Sequence, residues 1–204
     1  MATLIQKALQ AKIDSREASL KRSLTASQQA VRHKCFVSYH HADQDEVEGF
    51  IDSFEEVFIP RVLGISDEDT DLIDSTDTDY VMDQIREKYL TDSTVTIVLV
   101  GKCTWARRYV DWEVYATLRN DKLNRRSGLV AITLPSIASY SARELPPRVD
   151  DNVDGENGYA RWKKYPSSAA SLRSMVEEAF QARSSKASLI VNTRSRKINN
   201  SSCS

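Results

Sequence analysis

No stretch of this 204-residue chain approaches the run of about 18 apolar residues that a membrane-crossing helix needs. Its amino terminus also lacks the apolar segment and small-residue cleavage site of a signal peptide. The expectation is a soluble, unexported protein of the cytoplasm. Cysteine is scarce, and Cys35, Cys103 and Cys203 are odd in number and widely spaced. They read as strand, loop and tail residues in a reducing compartment, with no disulfide framework. An excess of one charge is missing too: 28 basic residues stand against 29 acidic ones, a net charge of -1. No overall field favours nucleic acid or an anionic membrane, and neither is expected as a partner.

Several chemical signatures are absent as well. No GxGxxG follows the first apolar strand and no GxxxxGK[ST] occurs, which excludes a Rossmann dinucleotide turn and a P-loop. CxxC, HExxH and GxSxG are missing, against thiol-redox, zinc-protease and hydrolase-elbow chemistry. The acidic stretch over residues 64–79 is no calcium loop: counted from Asp67, the glycine position holds Leu72 and the bidentate glutamate position Thr78. His40 and His41 with Asp43 make a poor metal site, because neighbours on an extended chain point opposite ways and no third cluster joins them. A phospho-acceptor receiver would carry an Asp at the end of its third strand, where this chain has Gly101, Lys102 and Cys103. No metal and no resident cofactor is expected.

What the chain does hold is alternation of strands and helices within one globular domain. Val95, Ile97, Val98, Leu99 and Val100 form an apolar, β-branched run before Gly101, the pattern of a central parallel strand buried on both faces. Beyond Gly101 the period turns helical, with Val110, Val114 and Leu118 at intervals of four. Loops at the carboxyl ends of parallel strands are where open α/β sheets bind ligands, above all where the strand order reverses. Glu113 lies just off the apolar stripe, with Tyr109 one turn earlier and Trp112 beside it. A carboxylate between two aromatics at such a corner is the most chemically suggestive feature of the chain.

Around this unit, residues 34–39 (KCFVSY) are expected as the first strand, followed by a helix over 43–57 with Val47, Phe50, Ile51, Phe54 and Val57 inward. Residues 58–63 read as a second strand near an edge, since Pro60 removes a backbone donor. The acidic loop over 64–79 leads into a helix over 79–90 with Val81, Met82, Ile85 and Tyr89 inward. Residues 128–134 (GLVAITL) form a fourth strand closed by Pro135, and 136–166 a long loop with one strand near 159–162. A closing helix covers 167–183, with Ala170, Leu172, Val176 and Phe180 on its buried side. The domain, residues 31–183, is flanked by a helical extension over 1–30 and a flexible Ser, Asn, Lys and Arg-rich tail over 184–204. In the extension, Ile5, Leu9, Ile13, Leu20 and Leu24 make a narrow stripe suited to docking on its own domain or on a partner.

KCFVSYHH at the end of the first strand, the acidic loop, and TIVLVGKCTWARRYVDWEV together resemble the TIR-like domains of bacterial anti-phage systems, in particular the Thoeris sensor subunit ThsB. The resemblance covers roughly residues 32–134 and is most specific in RRYVDWE, Arg107 to Glu113. In TIR domains this helix carries a Trp four residues before the catalytic Glu; here Tyr109 holds that place, and Val110 replaces the neighbouring Cys of the motif. The resemblance implies a flavodoxin-like α/β fold, a three-layer sandwich around a central parallel sheet of order 2-1-3-4-5, beside the amino-terminal helix. It implies cleavage of the nicotinamide-ribose bond of NAD, the substrate, and retention of the ADP-ribosyl part as a cyclic or conjugated signal. That diffusible nucleotide would activate a separate effector, after a phage-derived trigger and with self-assembly through TIR-like contacts.

On this reading Glu113 is the catalytic carboxylate. Ser38, Tyr39 and His40 line one wall of the crevice and Lys102 and Trp105 the other, while Tyr39, Trp105, Tyr109 and Trp112 enclose rings by stacking. Arg107, Arg108 or Lys102 holds the pyrophosphate. Each residue also has a plainer role open to it: Glu113 paired with Arg108 or Thr117, Trp105 and Tyr109 as packing, the arginines as solvated surface. A non-catalytic adaptor acting through protein contacts is the alternative function.

Overall fold

The computed structural model describes residues 12, 15–17, 31–62, 80, 90–120, 125–140 and 144–203. Chain contacts divide the molecule between Arg32 and His33. Of the amino-terminal extension, Lys12 and Ser15 to Glu17 are helical and exposed, and the apolar stripe expected there lies outside the described residues. The acidic loop over 64–79 and the inward residues expected on the helix after it also lie outside. Among the described residues no helix is long and apolar enough to cross a membrane.

From His33 onward the elements are β1 (His33–Ser38), α1 (Gln44–Ser53), β2 (Phe58–Val62), β3 (Val95–Val100), α2 (Arg108–Thr117), β4 (Gly128–Thr133), α3 (Pro147–Asp150), β5 (Arg161–Lys163) and α4 (Ala169–Ser185). The sheet is parallel throughout, in the order β2-β1-β3-β4-β5. This is the flavodoxin-like arrangement, with the reversal of strand order between β1 and β3. All six residues of β3 and of β4 are buried, as continuous apolar strands in the middle of a parallel sheet must be. Pro60 falls in the edge strand β2, where a residue without a backbone donor is tolerated.

Alternation along the strands sorts the core into two layers. Cys35, Val37, Ile97, Leu99, Val130 and Ile132 face α1 and α4, meeting Val47, Phe50, Leu172 and Val176. Val98, Val100, Leu129 and Ala131 face the other way and meet the stripe Val110, Val114 and Leu118 of α2 together with Val149 of α3. On α4, Ala170 is exposed and Ala179 takes the inward place, because two residues of helix turn Ala170 to the side opposite Leu172 whereas seven bring Ala179 back to it. Ala179 lies where β4 begins: a Cβ at Gly128 would run into its backbone, so the helix packs directly on the strand.

Two expectations are corrected by the carboxyl-terminal residues. The segment expected to be a flexible tail is instead a strap laid along α2. Val191 and Asn152 exchange hydrogen bonds of 2.9 and 2.7 Å. Arg148, fully buried, donates to Asn192 Oδ1 and to the carbonyls of Arg194 and Ser195. Further on, Lys197 donates its backbone N–H to Asp111 Oδ2 at 2.8 Å and accepts from Trp112 Nε1 at 2.8 Å. Asn200 Oδ1 accepts from the amide of Arg108 at 2.9 Å, and the Ser201 amide donates to the Ala106 carbonyl at 2.9 Å. The strap ends in a disulfide between Cys103 and Cys203, 100 residues apart, so two of the three cysteines expected to be free are joined. Cys35 remains a buried thiol. A polar tail with few apolar groups of its own is ordered here because it satisfies buried polar groups of the domain.

Candidate functional site

Ser38 is the last residue of β1 and, by alternation with Phe36, points to the face covered by α2. Glu113 projects from the middle of α2 onto that strand end. Ser38 Oγ donates to Glu113 Oε2 at 2.5 Å, and both side chains are buried, Glu113 being 5% exposed. Burial pushes the Glu113 carboxyl up to about 8, against the opposing pull of the Ser38 hydrogen bond. Glu113 is therefore not an ordinary helix glutamate paired with Arg108 or Thr117: the Thr117 hydroxyl pairs with Thr96 at 2.8 Å, and the Arg108 guanidinium stacks on Tyr109 and Trp112. Tyr39, the next residue after Ser38, has its hydroxyl pushed up to about 12 by burial and then by the charges of Glu113 and Glu48.

Beside this pair, the turn His41–Asp43 after β1 meets the corner 101–107 after β3. The two approach closely there: a Cβ at Gly101 would meet the Asp43 carboxylate, which would have to move aside. The Gly101 amide donates to Thr104 Oγ1 at 2.8 Å, and that hydroxyl stands 3.5 Å from Asp43 Oδ2. Burial, then Glu46, holds the Asp43 carboxyl above the usual range, with Thr104, His41 and Arg107 pulling the other way. His40 is pushed down to about 4 by burial and then by the charges of Arg107 and His41. His40 and His41, expected to point apart on an extended chain, meet edge-on at 4.5 Å because a 3-10 turn begins at His41. The crevice between β1 and β3 thus holds Ser38, His40, Asp43, Gly101, Thr104, Arg107 and Glu113.

A family model for the TIR-like domain of the Thoeris protein ThsB matches residues 36–139, from inside β1 to just past β4. The chain belongs to the Thoeris ThsB TIR-like family. None of the curated proteins compared with it matches. The matched span includes every crevice residue of this TIR-like domain, whereas the strap lies beyond it.

The other residues expected at the site are distributed unequally. Lys102 is exposed at the corner, and Trp105 is half-buried with the Lys197 ammonium 5.8 Å from its ring. Trp112 is not free to stack on a ligand ring. It is 3% exposed, packs with Phe36, Leu90 and Ala116, and spends its N–H on the strap. Tyr109 is half-buried and edge-on to Trp112 at 5.2 Å. Arg108 donates to the Tyr109 hydroxyl at 2.9 Å, so Arg107 is the guanidinium on the crevice side. Sequence reasoning weighed Asp43 only at a helix start and in a poor metal site with His40 and His41, and gave Thr104 no role of its own. The signal was an acid five residues past the end of β1, which faces Gly101 across the switch point.

Proposed function

We propose that this TIR-like domain is an NAD-processing enzyme of anti-phage defence. It cleaves the nicotinamide-ribose bond and makes a cyclic or conjugated ADP-ribose signal that activates a separate effector. The observation that carries the reading is the Glu113 carboxyl, buried against Ser38 at the carboxyl end of β1, beside the switch point. The bond between ribose C1′ and the ring nitrogen breaks with its electron pair passing to nitrogen, so nicotinamide leaves as a neutral ring and needs no proton. Positive charge develops on the ribose, and an ionised carboxylate facing it stabilises that charge in a site that excludes water. A cationic nicotinamide ring brought against Glu113 favours its ionised form, reversing the effect of burial. Water, another molecule or an atom of the same nucleotide then forms the new bond to C1′ and gives up a proton.

Arg107, with Lys102 at the corner, is suited to the pyrophosphate, and Tyr39, Trp105 and Tyr109 to the rings. A cytoplasmic setting, a phage-derived trigger and self-assembly through TIR-like contacts belong to the same proposal. Nucleotide analysis by mass spectrometry in phage-infected cells, comparing wild type with Glu113→Gln, tests it. A new ADP-ribose species made by wild type alone supports the enzyme and identifies its product. Absence of any such species, with protection retained by Glu113→Gln, overturns it in favour of an adaptor.

A further inference from the structure

At the amino ends of the strands, opposite the crevice, basic side chains from three segments converge. Arg125 and Arg126 precede β4, Asn120 follows α2, and Arg183 and Ser184 stand in the last turn of α4 with Ala187 just beyond. These six residues line a pocket of about 350 Å³, within the roughly 300–1,000 Å³ of small-ligand sites. Backbone contacts bring the segments together. The Ser127 amide donates to the Thr117 carbonyl at 3.0 Å, tying the start of β4 to the end of α2, and Gly128 lies directly on the α4 backbone at Ala179. The buried Tyr159 donates its hydroxyl to the Ser127 carbonyl at 2.6 Å. Burial pushes that hydroxyl up to about 12 while Arg126 and Arg183 pull the other way, so both guanidiniums stand near one point.

Other arginines of the domain meet acids: Arg148 meets Asp111, Arg161 meets Glu178 and Arg194 meets Asp151. Among the described residues, no carboxylate lies within ion-pair distance of Arg125, Arg126 or Arg183. Nor does Arg183 serve the negative end of α4 by bonding its last carbonyls. The Ser184 and Ser185 hydroxyls donate to the Gln181 carbonyl and the Lys186 amide to that of Ala182, while the Arg183 guanidinium lies over Phe180, 4.5 Å from the ring centroid. Like charges gathered in a concavity repel one another until an anion enters, and the concavity focuses their field on that anion. Guanidiniums match phosphate oxygens closely, because the planar fork can donate two parallel hydrogen bonds.

We infer that this pocket is a second anion site of the domain, apart from the Glu113 crevice, and takes a small molecule bearing a diphosphate group, such as a nucleoside diphosphate. A terminal phosphate carries about -1.5 to -2 at neutral pH and the inner phosphate one charge more, a total that three guanidiniums balance. Among the described residues no aromatic side chain lines the pocket, so recognition falls on the phosphates and not on a base. The inference does not rest on the NAD-processing reading, since its readout is binding and not nicotinamide release.

The test is calorimetric titration of the full chain with orthophosphate, pyrophosphate, ADP and adenosine. Wild type is compared with Arg125→Gln, Arg126→Gln, Arg183→Gln and the crevice variant Arg107→Gln, with the unfolding midpoint of each measured alongside. Pyrophosphate and ADP are expected to bind wild type, and adenosine is not. Arg126→Gln and Arg183→Gln should each weaken that binding about tenfold or more at an unchanged midpoint, the scale of one charge-assisted hydrogen bond. Arg125 is exposed, so Arg125→Gln weakens binding without a folding defect even if Arg183→Gln, which loses its place over Phe180, unfolds. Arg107→Gln should leave this binding event in place. Binding abolished by Arg107→Gln and kept by the three pocket variants puts the ligand in the crevice and overturns the second site, as does no binding of pyrophosphate or ADP at millimolar concentrations. Orthophosphate bound as tightly as pyrophosphate overturns the diphosphate assignment. A single-stranded oligonucleotide bound more tightly than ADP, with the same arginine dependence, overturns the small-molecule assignment.

Discussion

Helix α2 carries two buried acids two residues apart, and they live in opposite electrostatic worlds. Asp111 receives Arg148 Nε at 2.9 Å, Arg148 Nη2 at 3.3 Å and the Lys197 amide at 2.8 Å. Its charge is matched by a guanidinium with no exposed surface, and the pair ties α2, α3 and the strap into one body. Glu113, one face of the helix away, has among the described residues a single hydroxyl donor and no cation beside it, and burial drives it toward its neutral form. An acid whose charge is already compensated can only hold structure. An acid kept neutral by its surroundings is poised to ionise when a cation arrives, as catalytic carboxylates are.

The sharpest way to break this contrast is to delete each acid in turn. Asp111→Ala leaves the Arg148 guanidinium buried without its partner and is expected to lower stability by about 3–5 kcal/mol in urea unfolding. It should also free the strap to exchange hydrogen. Glu113→Gln keeps the shape and removes an unfavourable buried ionisation, so its unfolding midpoint at pH 7 should equal or exceed that of wild type. If the two substitutions cost the same, the distinction between a structural and a chemical acid collapses. In activity the order inverts: Glu113→Gln is expected to cut nicotinamide release by about 10²- to 10³-fold, the scale of losing one preorganised electrostatic group.

Titration sharpens the same point. Because the Glu113 carboxyl sits at about 8 in the folded chain and 4.5 is its ordinary value, the folded form keeps a proton that the unfolded form loses between those limits. Stability therefore falls as pH rises through that window, by up to about 1.4 kcal/mol per pH unit, and Glu113→Gln should flatten this limb. His40 works in the other direction: held neutral down to about 4 from an ordinary 6.5, it costs stability as pH falls through that range, in wild type and variant alike. Identical alkaline limbs in the two proteins would show that Glu113 is already ionised when folded. The smallest effect is that of Ser38→Ala, expected to cost about 1 kcal/mol for the lost hydrogen bond. It should also move the rising limb of the activity profile to higher pH, since the hydroxyl favours the ionised carboxylate.

Much of the frame was legible before the structure. The run Val95–Val100 reads as a doubly buried strand, Pro60 marks an edge, and Val110, Val114 and Leu118 name the inward face of α2. These signals are repeats a few residues long, so local chain geometry suffices to decode them. At the site, Glu113 and the end of β1 were legible, but Trp112 was expected beside a ligand and lies under Leu90 and the strap. Asp43 was hidden because its partner, Gly101, stands 58 residues away in sequence. The strap was misread altogether, since composition reports how few apolar groups a tail carries and not which buried donors await it.

The pattern of apolar residues by itself thus sets the alternation of strands and helices, the central place of β3 and the helix face from which Glu113 projects. Tertiary structure alone decides that Asn200 caps α2 where no local side chain does, and that Cys103 meets Cys203. It likewise decides that Asp111 meets a guanidinium while Glu113, among the described residues, meets only the Ser38 hydroxyl. The reason is physical: periodicity is carried by neighbours along the chain, whereas the charge state of a buried group depends on whatever the fold brings within a few ångströms.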